Sequence, residues 1–115
     1  MFDPACSTVE WVPPFGGMTK WEKRGLKASD VDYYEINEAF AVVNLHAEKE
    51  LGVGRDVTNI YGGGISIGHP PGATGVRMTL TAMQHLADTN QRYAVISMCM
   101  GAGQGMAVLI ENLKR

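Results

Sequence analysis

Four short stretches of the 115-residue sequence carry residue types and spacings that chemistry could use, three of them with glycines that bare the backbone. The first is Asn37-Glu38-Ala39-Phe40, where a β-type run gives way to a helical pattern. An amide and a carboxylate at such a junction can serve chemistry, and they are equally the types that cap a helix and favour its dipole. The second is Gly62-Gly63-Gly64 followed by Gly68-His69-Pro70. A lone loop histidine is more often structural than catalytic, although one held between glycine and proline has a constrained backbone and one presentation of its ring. The third, Gly72-Ala73-Thr74-Gly75, opens a helix and lets its first turn approach a ligand or another backbone. No Lys-Ser/Thr pair follows, so it is not a phosphate loop, and its spacing does not fit the dinucleotide fingerprint. The fourth is Cys99-Met100-Gly101-Ala102-Gly103-Gln104-Gly105. Cysteine at the end of a buried strand is usually a small hydrophobe. Followed at once by a glycine-rich turn, it brings a thiol and free N–H groups into one space.

The remaining candidates for chemistry are few. His46, His69, His85, Cys6 and Cys99 show none of the Cys-x2-Cys or His-x3-His spacings of zinc sites, and no metal is expected. His46 and His85 fall on helical stretches among polar neighbours, which predicts solvated side chains. Two cysteines make no disulfide framework.

The elements that must position these groups are legible from periodicity. Residues 1–17 read as irregular or edge structure, because Pro4, Pro13 and Pro14 limit ladder pairing. Met18 to Leu26 suits a short helix, broken by Ser29 and Asp30. Val31 to Ile36 reads as a brief strand. Phe40, Val43, Ala47 and Leu51 recur at helical spacing up to Gly52, a natural end cap. Val57 to Tyr61 reads as a second short strand. From Ala73 a helix carries Val76, Leu80, Met83 and Ala87 on one face, with Arg77, Gln84 and Asp88 on the other. Tyr93 to Met100 is apolar enough for a strand buried on both faces, and Met106 to Ile110 suits an antiparallel neighbour. This order of elements is α/β.

Composition bounds what such a chain can be. Apolar residues make up 45% and charged residues 19%, an ordinary globular mixture. Lys plus Arg number 10 against 12 Asp plus Glu, a formal charge of -2. That lacks the basic footprint of a nucleic-acid binder or a membrane-surface protein. Apolar stretches fall far short of the ~20 residues of a membrane span, and no secretory leader pattern opens the chain. An intracellular, most simply cytoplasmic, location is the expectation. The 14 glycines cluster between apolar runs rather than in a linker, so backbone packed closely against something is expected there.

Taken in order, Asn37-Glu38-Ala39-Phe40, Gly68-His69-Pro70 and Cys99-x-Gly101 resemble the carboxy-terminal half of a thiolase. The acetyl-CoA acetyltransferases and 3-ketoacyl-CoA thiolases form that family. The resemblance covers the chain from about Asp3 to the end, including the Gly62-Gly63 lead-in and the Gln104-Gly105 finish. It implies a thiolase-like half over residues 1–115, with layered helices and a mixed β-sheet. The implied reaction is acyl transfer to coenzyme A, with Claisen condensation or thiolytic cleavage of a 3-ketoacyl-CoA, and with no cofactor besides these substrates. In that reading Cys99 matches the cysteine that moves a proton at the carbon beside a thioester carbonyl. A thiol's ordinary pKa of about 8.5 is close enough to neutrality for both directions of transfer where a neighbour tunes it. His69 matches the histidine that activates the nucleophilic cysteine and donates to the enolate oxygen. Asn37 matches the residue that holds a water in the same oxyanion hole. The N–H of Gly101 matches a donor to a second hole. Pro71 and Ala102 depart from the family pattern, which has Leu or Ile after Gly-His-Pro and glycine in the middle of the turn.

The family's acylated cysteine belongs to an amino-terminal half that these residues do not include. Cys6 is not a substitute, since the family has an apolar core residue there. The expectation is therefore a fragment or separately encoded half, inactive alone, whose partners are acyl-CoA, coenzyme A, a thiolase amino-terminal half and further copies of itself. Neither nucleic acid nor a membrane is an expected partner. Its uncovered apolar face would include Val76, Leu80 and Met83. Two other readings stand beside this one. An orphan half could persist as an acyl-CoA-binding or oligomerisation module, though such a module has no physical need for Asn37, His69 and Cys99 together. An unrelated hydrolase using Cys99 and His69 lacks an evident third group to orient the histidine. Because all four site residues lie at strand-to-helix or strand-to-turn junctions, they are expected to converge at the carboxy-terminal ends of strands.

Overall fold

Tyr33–Ile36 (β2) and Tyr93–Gly101 (β3) pair in parallel, with Tyr33 opposite Ala94 and Ile36 opposite Ser97. Their carboxy-terminal ends therefore leave the sheet together, one carrying Asn37 and the other leading into Cys99. The computed structural model describes residues 10–12, 25–101 and 104–114. Gln104–Glu111 (β4) returns antiparallel to β3, and Glu10–Val12 (β1) pairs antiparallel with β4. The strand order β1-β4-β3-β2 makes a mixed, four-stranded sheet with β1 on the edge expected for the first residues. The short helix expected over Met18 to Leu26 falls mostly outside the described residues, as does Cys6.

Helices cover both faces, as α/β layering requires. Ala41–Leu51 is α1, Gly64–Ile67 is a single turn, α2, and Thr74–Thr89 is α3. None of the described helices is long and apolar enough to cross a membrane. One core layer joins Met78, Ala82 and Leu86 of α3 to Tyr33, Ala94, Ile96 and Ile110 of the sheet. The other joins Tyr34, Ile36, Val95, Ala107 and Leu109 to Val31, with Ala47 and Leu51 of α1 packed against them. Alternation along each strand sends successive side chains to opposite layers, which is why β2 is buried at every position.

Several elements differ from the sequence expectation, each for a physical reason. Val57 to Tyr61 is not a strand: it makes one parallel bridge, Thr58 to Tyr34. Asn59 turns into the left-handed region at φ 47°, which ends the ladder, and its side-chain amide continues the pairing instead. Asn59 Oδ1 accepts from the Ile36 N–H at 2.8 Å, and its Nδ2 donates to the Ile36 carbonyl at 2.8 Å. β3 is buried on both faces only at Ala94 to Ile96, and from Cys99 onward it is exposed. No described helix covers that end. His85 is buried rather than solvated, with Nδ1 2.9 Å from the Tyr61 hydroxyl and Nε2 2.7 Å from Gln91 Oε1. The signal was present, since Thr74, Met78, Ala82 and His85 share one face at spacings of four, four and three. The apolar residues of the opposite face divide: Met83 packs against the core, while Val76 and Leu80 are exposed. On α1 the inward positions are Ala47 and Leu51, whereas Phe40 precedes the helix and is 73% exposed.

Candidate functional site

The site grows from the last residue of the β2 register. The Asn37 N–H donates to the Ser97 carbonyl at 2.9 Å, extending the parallel ladder one step past the strand. That bond fixes the Asn37 backbone beside β3, two residues before Cys99. The side chain is buried at 2% exposure, and its Nδ2 lies 3.4 Å from His69 Nε2. Its Oδ1 has no hydrogen-bond partner among the described residues. A buried amide oxygen left free is costly unless a donor meets it, so this atom is a natural acceptor for a water or a ligand.

His69 is held from its other side. Gly68 adopts φ 93°, a conformation L side chains rarely take, and this turns the chain so that the ring faces both Asn37 and α3. His69 Nδ1 lies 2.8 Å from Thr74 Oγ1, in the first turn of α3. Both ring nitrogens are therefore engaged, by groups 32 positions back and five positions on. Thr74 was missed as a site residue in the sequence, where it read as part of a helix start. It is a group that engages the histidine, of the kind the hydrolase reading of Cys99 and His69 lacked in the sequence.

Glu38 does not cap α1, contrary to one reading of its position. The residue before α1 is Phe40, with no side-chain capping bond. Instead Glu38 Oε2 accepts the Ile65 N–H at 2.9 Å, at the start of α2, and Oε1 lies 3.3 Å from Asn59 Nδ2. The close approach explains a glycine: a Cβ on Gly63 would sit 2.5 Å from the Glu38 carboxyl carbon. Glu38 thus ties the Gly62-Gly63-Gly64 segment, and the loop running on to His69, to the end of β2.

Behind Asn37 lies a buried carboxyl group. Glu35 is fully buried, accepts a hydrogen bond from the Tyr33 hydroxyl and pairs with Arg77 of α3 at 3.1 Å. Burial raises its pKa, partly opposed by the Tyr33 and Arg77 bonds. Burial and the neighbouring carboxylate likewise push the Tyr33 hydroxyl far upward. Arg77, expected on a polar face, fastens α3 to β2 through this pair.

Cys99 is exposed near the carboxy-terminal end of β3, opposite Gly105. The register shifts between Cys99 and Gly101, and Gly101 then pairs with Gln104. The parallel pairing brings Asn37 and Cys99 to the same end of the sheet. The hydrogen-bonded cluster itself comprises Asn37, His69 and Thr74, and includes neither Cys99 nor Gly101. His46 is exposed. Among the described residues no group of three or more His, Cys, Asp or Glu is placed to hold a metal ion.

A family model described as thiolase, C-terminal domain, matches residues 3–112. The chain is 43% identical over 110 residues to a mitochondrial 3-ketoacyl-CoA thiolase of Bos taurus, covering 96% of this chain and 27% of that protein. It is 46% identical over 89 residues to acetyl-CoA acetyltransferase 2 of Arabidopsis thaliana, covering 77% of this chain and 22% of the relative. A cytosolic acetyl-CoA acetyltransferase of Gibberella zeae is 43% identical over 90 residues, 78% of this chain and 23% of its own. The crystal structure of human mitochondrial 3-ketoacyl-CoA thiolase superposes with a TM-score of 0.75 at 43% identity, over 79% of this chain and 23% of that one. The same human enzyme has been solved in complex with CoA, with the same similarity. The chain thus spans about a quarter of the length of the relatives it matches.

Proposed function

The chain belongs to the thiolase family, and we propose that residues 1–115 act as the carboxy-terminal catalytic domain of such an enzyme. Its reaction is acyl transfer to coenzyme A, running as Claisen condensation or as thiolytic cleavage of a 3-ketoacyl-CoA. The observation that carries this reading is the Asn37–His69 contact at the end of the sheet to which β3 also brings Cys99. Cys99 takes the proton at the carbon beside the thioester carbonyl in condensation and returns it in cleavage. His69 accepts the proton of a nucleophilic thiol supplied by an amino-terminal half, and afterwards donates to the enolate oxygen. Asn37 Oδ1, buried and unpartnered, supports a role in holding the water of that oxyanion hole. The Gly101 N–H serves the second hole, where the tetrahedral intermediate forms.

The partners on this reading are acyl-CoA, coenzyme A, a thiolase amino-terminal half and further copies of the assembled unit. No cofactor is needed beyond the CoA substrates, and the setting is intracellular, in keeping with relatives named mitochondrial and cytosolic. The exposed Phe40, Val42, Ile65, Ile67 and Val76 support a covered face in the working assembly.

The test is co-production with a thiolase amino-terminal half, followed by thiolysis of acetoacetyl-CoA and mass spectrometry of the acyl-enzyme. The chain alone is expected to be inactive and the pair active. In the pair, Cys99→Ala should block turnover while the other half's cysteine still becomes acylated. Near-normal turnover of Cys99→Ala would refute the proton-transfer role.

A further inference from the structure

The geometry around His69 points to Thr74 as a positioning residue that selects the histidine's tautomer. We propose that Thr74 Oγ1 accepts the His69 Nδ1–H and so leaves Nε2 as the bare, basic nitrogen facing Asn37. This rests on the thiolase reading for its consequence in catalysis, but its structural content stands on hydrogen bonds alone.

The argument begins with the direction of one hydroxyl. Thr74 Oγ1 lies 3.0 Å from the carbonyl of Pro70, four residues earlier. A carbonyl can only accept, so the threonine proton goes to it. The same choice recurs along α3. Thr79 donates to the Gly75 carbonyl at 2.8 Å, Thr81 to that of Arg77 at 3.0 Å, and Thr89 to that of His85 at 2.7 Å. Back-bonding to the carbonyl four residues before is the habitual placement of a threonine hydroxyl in a helix, and Thr74 follows it. With its proton committed to Pro70, Oγ1 meets His69 Nδ1 at 2.8 Å with lone pairs only. The proton in that contact therefore belongs to the ring. A neutral imidazole with Nδ1–H has a free lone pair on Nε2, the atom to which Asn37 Nδ2 donates at 3.4 Å.

Two features suit this arrangement to proton transfer. Thr74 is 1% exposed, so substrate and solvent do not compete for its oxygen. When Nε2 takes a proton from the thiol of the amino-terminal half, the S–H bond breaks, an N–H bond forms and a thiolate remains. The ring is then an imidazolium, and the Nδ1–H bond to Oγ1 persists unchanged. Nε2 then carries the proton that the proposed role of His69 offers to the enolate oxygen.

The experiment reads the tautomer directly. Histidine-selective 15N labelling and long-range 1H–15N correlation are applied to the chain, alone and paired with the amino-terminal half. The neutral His69 ring should show Nδ1–H, with Nε2 shifted as an unprotonated nitrogen. Thr74→Ser should keep that pattern, and Thr74→Val should shift it toward the other tautomer. In the active pair, Thr74→Val should lower kcat on the order of tenfold, as expected for one lost neutral hydrogen bond. KM should stay within about twofold, and Thr74→Ser should restore kcat. Predominant Nε2–H in the unsubstituted protein would overturn the proposal, and it needs no variant to fold. So would a Thr74→Val protein with the original tautomer and full kcat. An Nδ1–H tautomer in a pair without thiolysis would instead count against the thiolase reading and leave the Thr74 assignment standing.

Discussion

His69 and Asn37 touch, yet their loss should be felt differently. On the proposed reading His69→Ala removes both a base and an oxyanion donor, and general acid–base groups contribute roughly 10²–10⁴ in rate. Thiolysis by the assembled pair should fall by about that much, with acylation of the partner cysteine slowed as well. If Asn37 acts as proposed, through a water that neighbours can partly hold, the loss in Asn37→Ala should be less than about 10²-fold, below that of a direct oxyanion donor. Steady-state thiolysis beside mass spectrometry of the acyl-enzyme separates the two. Equal losses in both variants would show that Asn37 acts on the ring itself rather than through a water. Glu35 supplies a residue-scale test of stability. Its pKa is raised, so the folded state holds this proton to higher pH than the unfolded state does. The sign follows from linkage: its stabilising share is complete below about pH 4 and is lost as pH rises through the raised value. Glu35→Gln should therefore flatten the decline of stability above pH 4, measured as urea midpoints across that range.

At the scale of elements, the loop bearing His69 is held by a carboxylate. Glu38 reaches from the end of β2 to the first turn of α2, and Gly63 leaves room for it. Gly63→Ala places a methyl group against that carboxylate, which must swing away and give up the Ile65 N–H and the Asn59 amide. The expected cost is about 1–2 kcal/mol, roughly one net hydrogen bond or two, read from chemical denaturation. Glu38→Ala should cost a similar amount, and adding Gly63→Ala to it should cost little more, because both act on the same bonds. Full additivity would mean that the glycine is required for something else. The parallel pairing of β2 and β3 gives this local arrangement its consequence, since it brings the Asn37 and Cys99 junctions to one end of the sheet.

The whole molecule presents large apolar side chains from three helical segments and from the end of β3. Phe40, Val42, Leu45, Ile65, Ile67, Val76 and Met100 are all more than half exposed. The proposed covering half would bury such side chains. The chain alone should self-associate or bind an apolar dye at micromolar concentration, and pairing with an amino-terminal half should abolish the dye signal. Sedimentation beside dye fluorescence reads both, and a clean, dye-silent monomer would remove the physical reason for a covering half.

Much of this was legible in the sequence because local rules carry it. The β2 and β3 runs, α1 closing at Gly52, and the antiparallel return of β4 follow from periodicity and caps, which depend on near neighbours. The resemblance of Asn37, His69 and Cys99 to a thiolase set was equally readable, because residue types in order need no coordinates. Which groups meet was decided only by the tertiary fold. Thr74 reaches His69 because the Gly68 turn folds the loop back onto α3, and Glu38 caps α2 rather than α1 because Gly63 admits its carboxylate. Asn59 ends a strand that its neighbours favour because its amide fits the edge of β2 better than another ladder step. His85 is buried because Tyr61 and Gln91, 24 and six positions away, satisfy both of its nitrogens. Contacts between residues far apart in sequence leave no periodic trace, and the polar ones among them depend on side-chain directions that only packing sets.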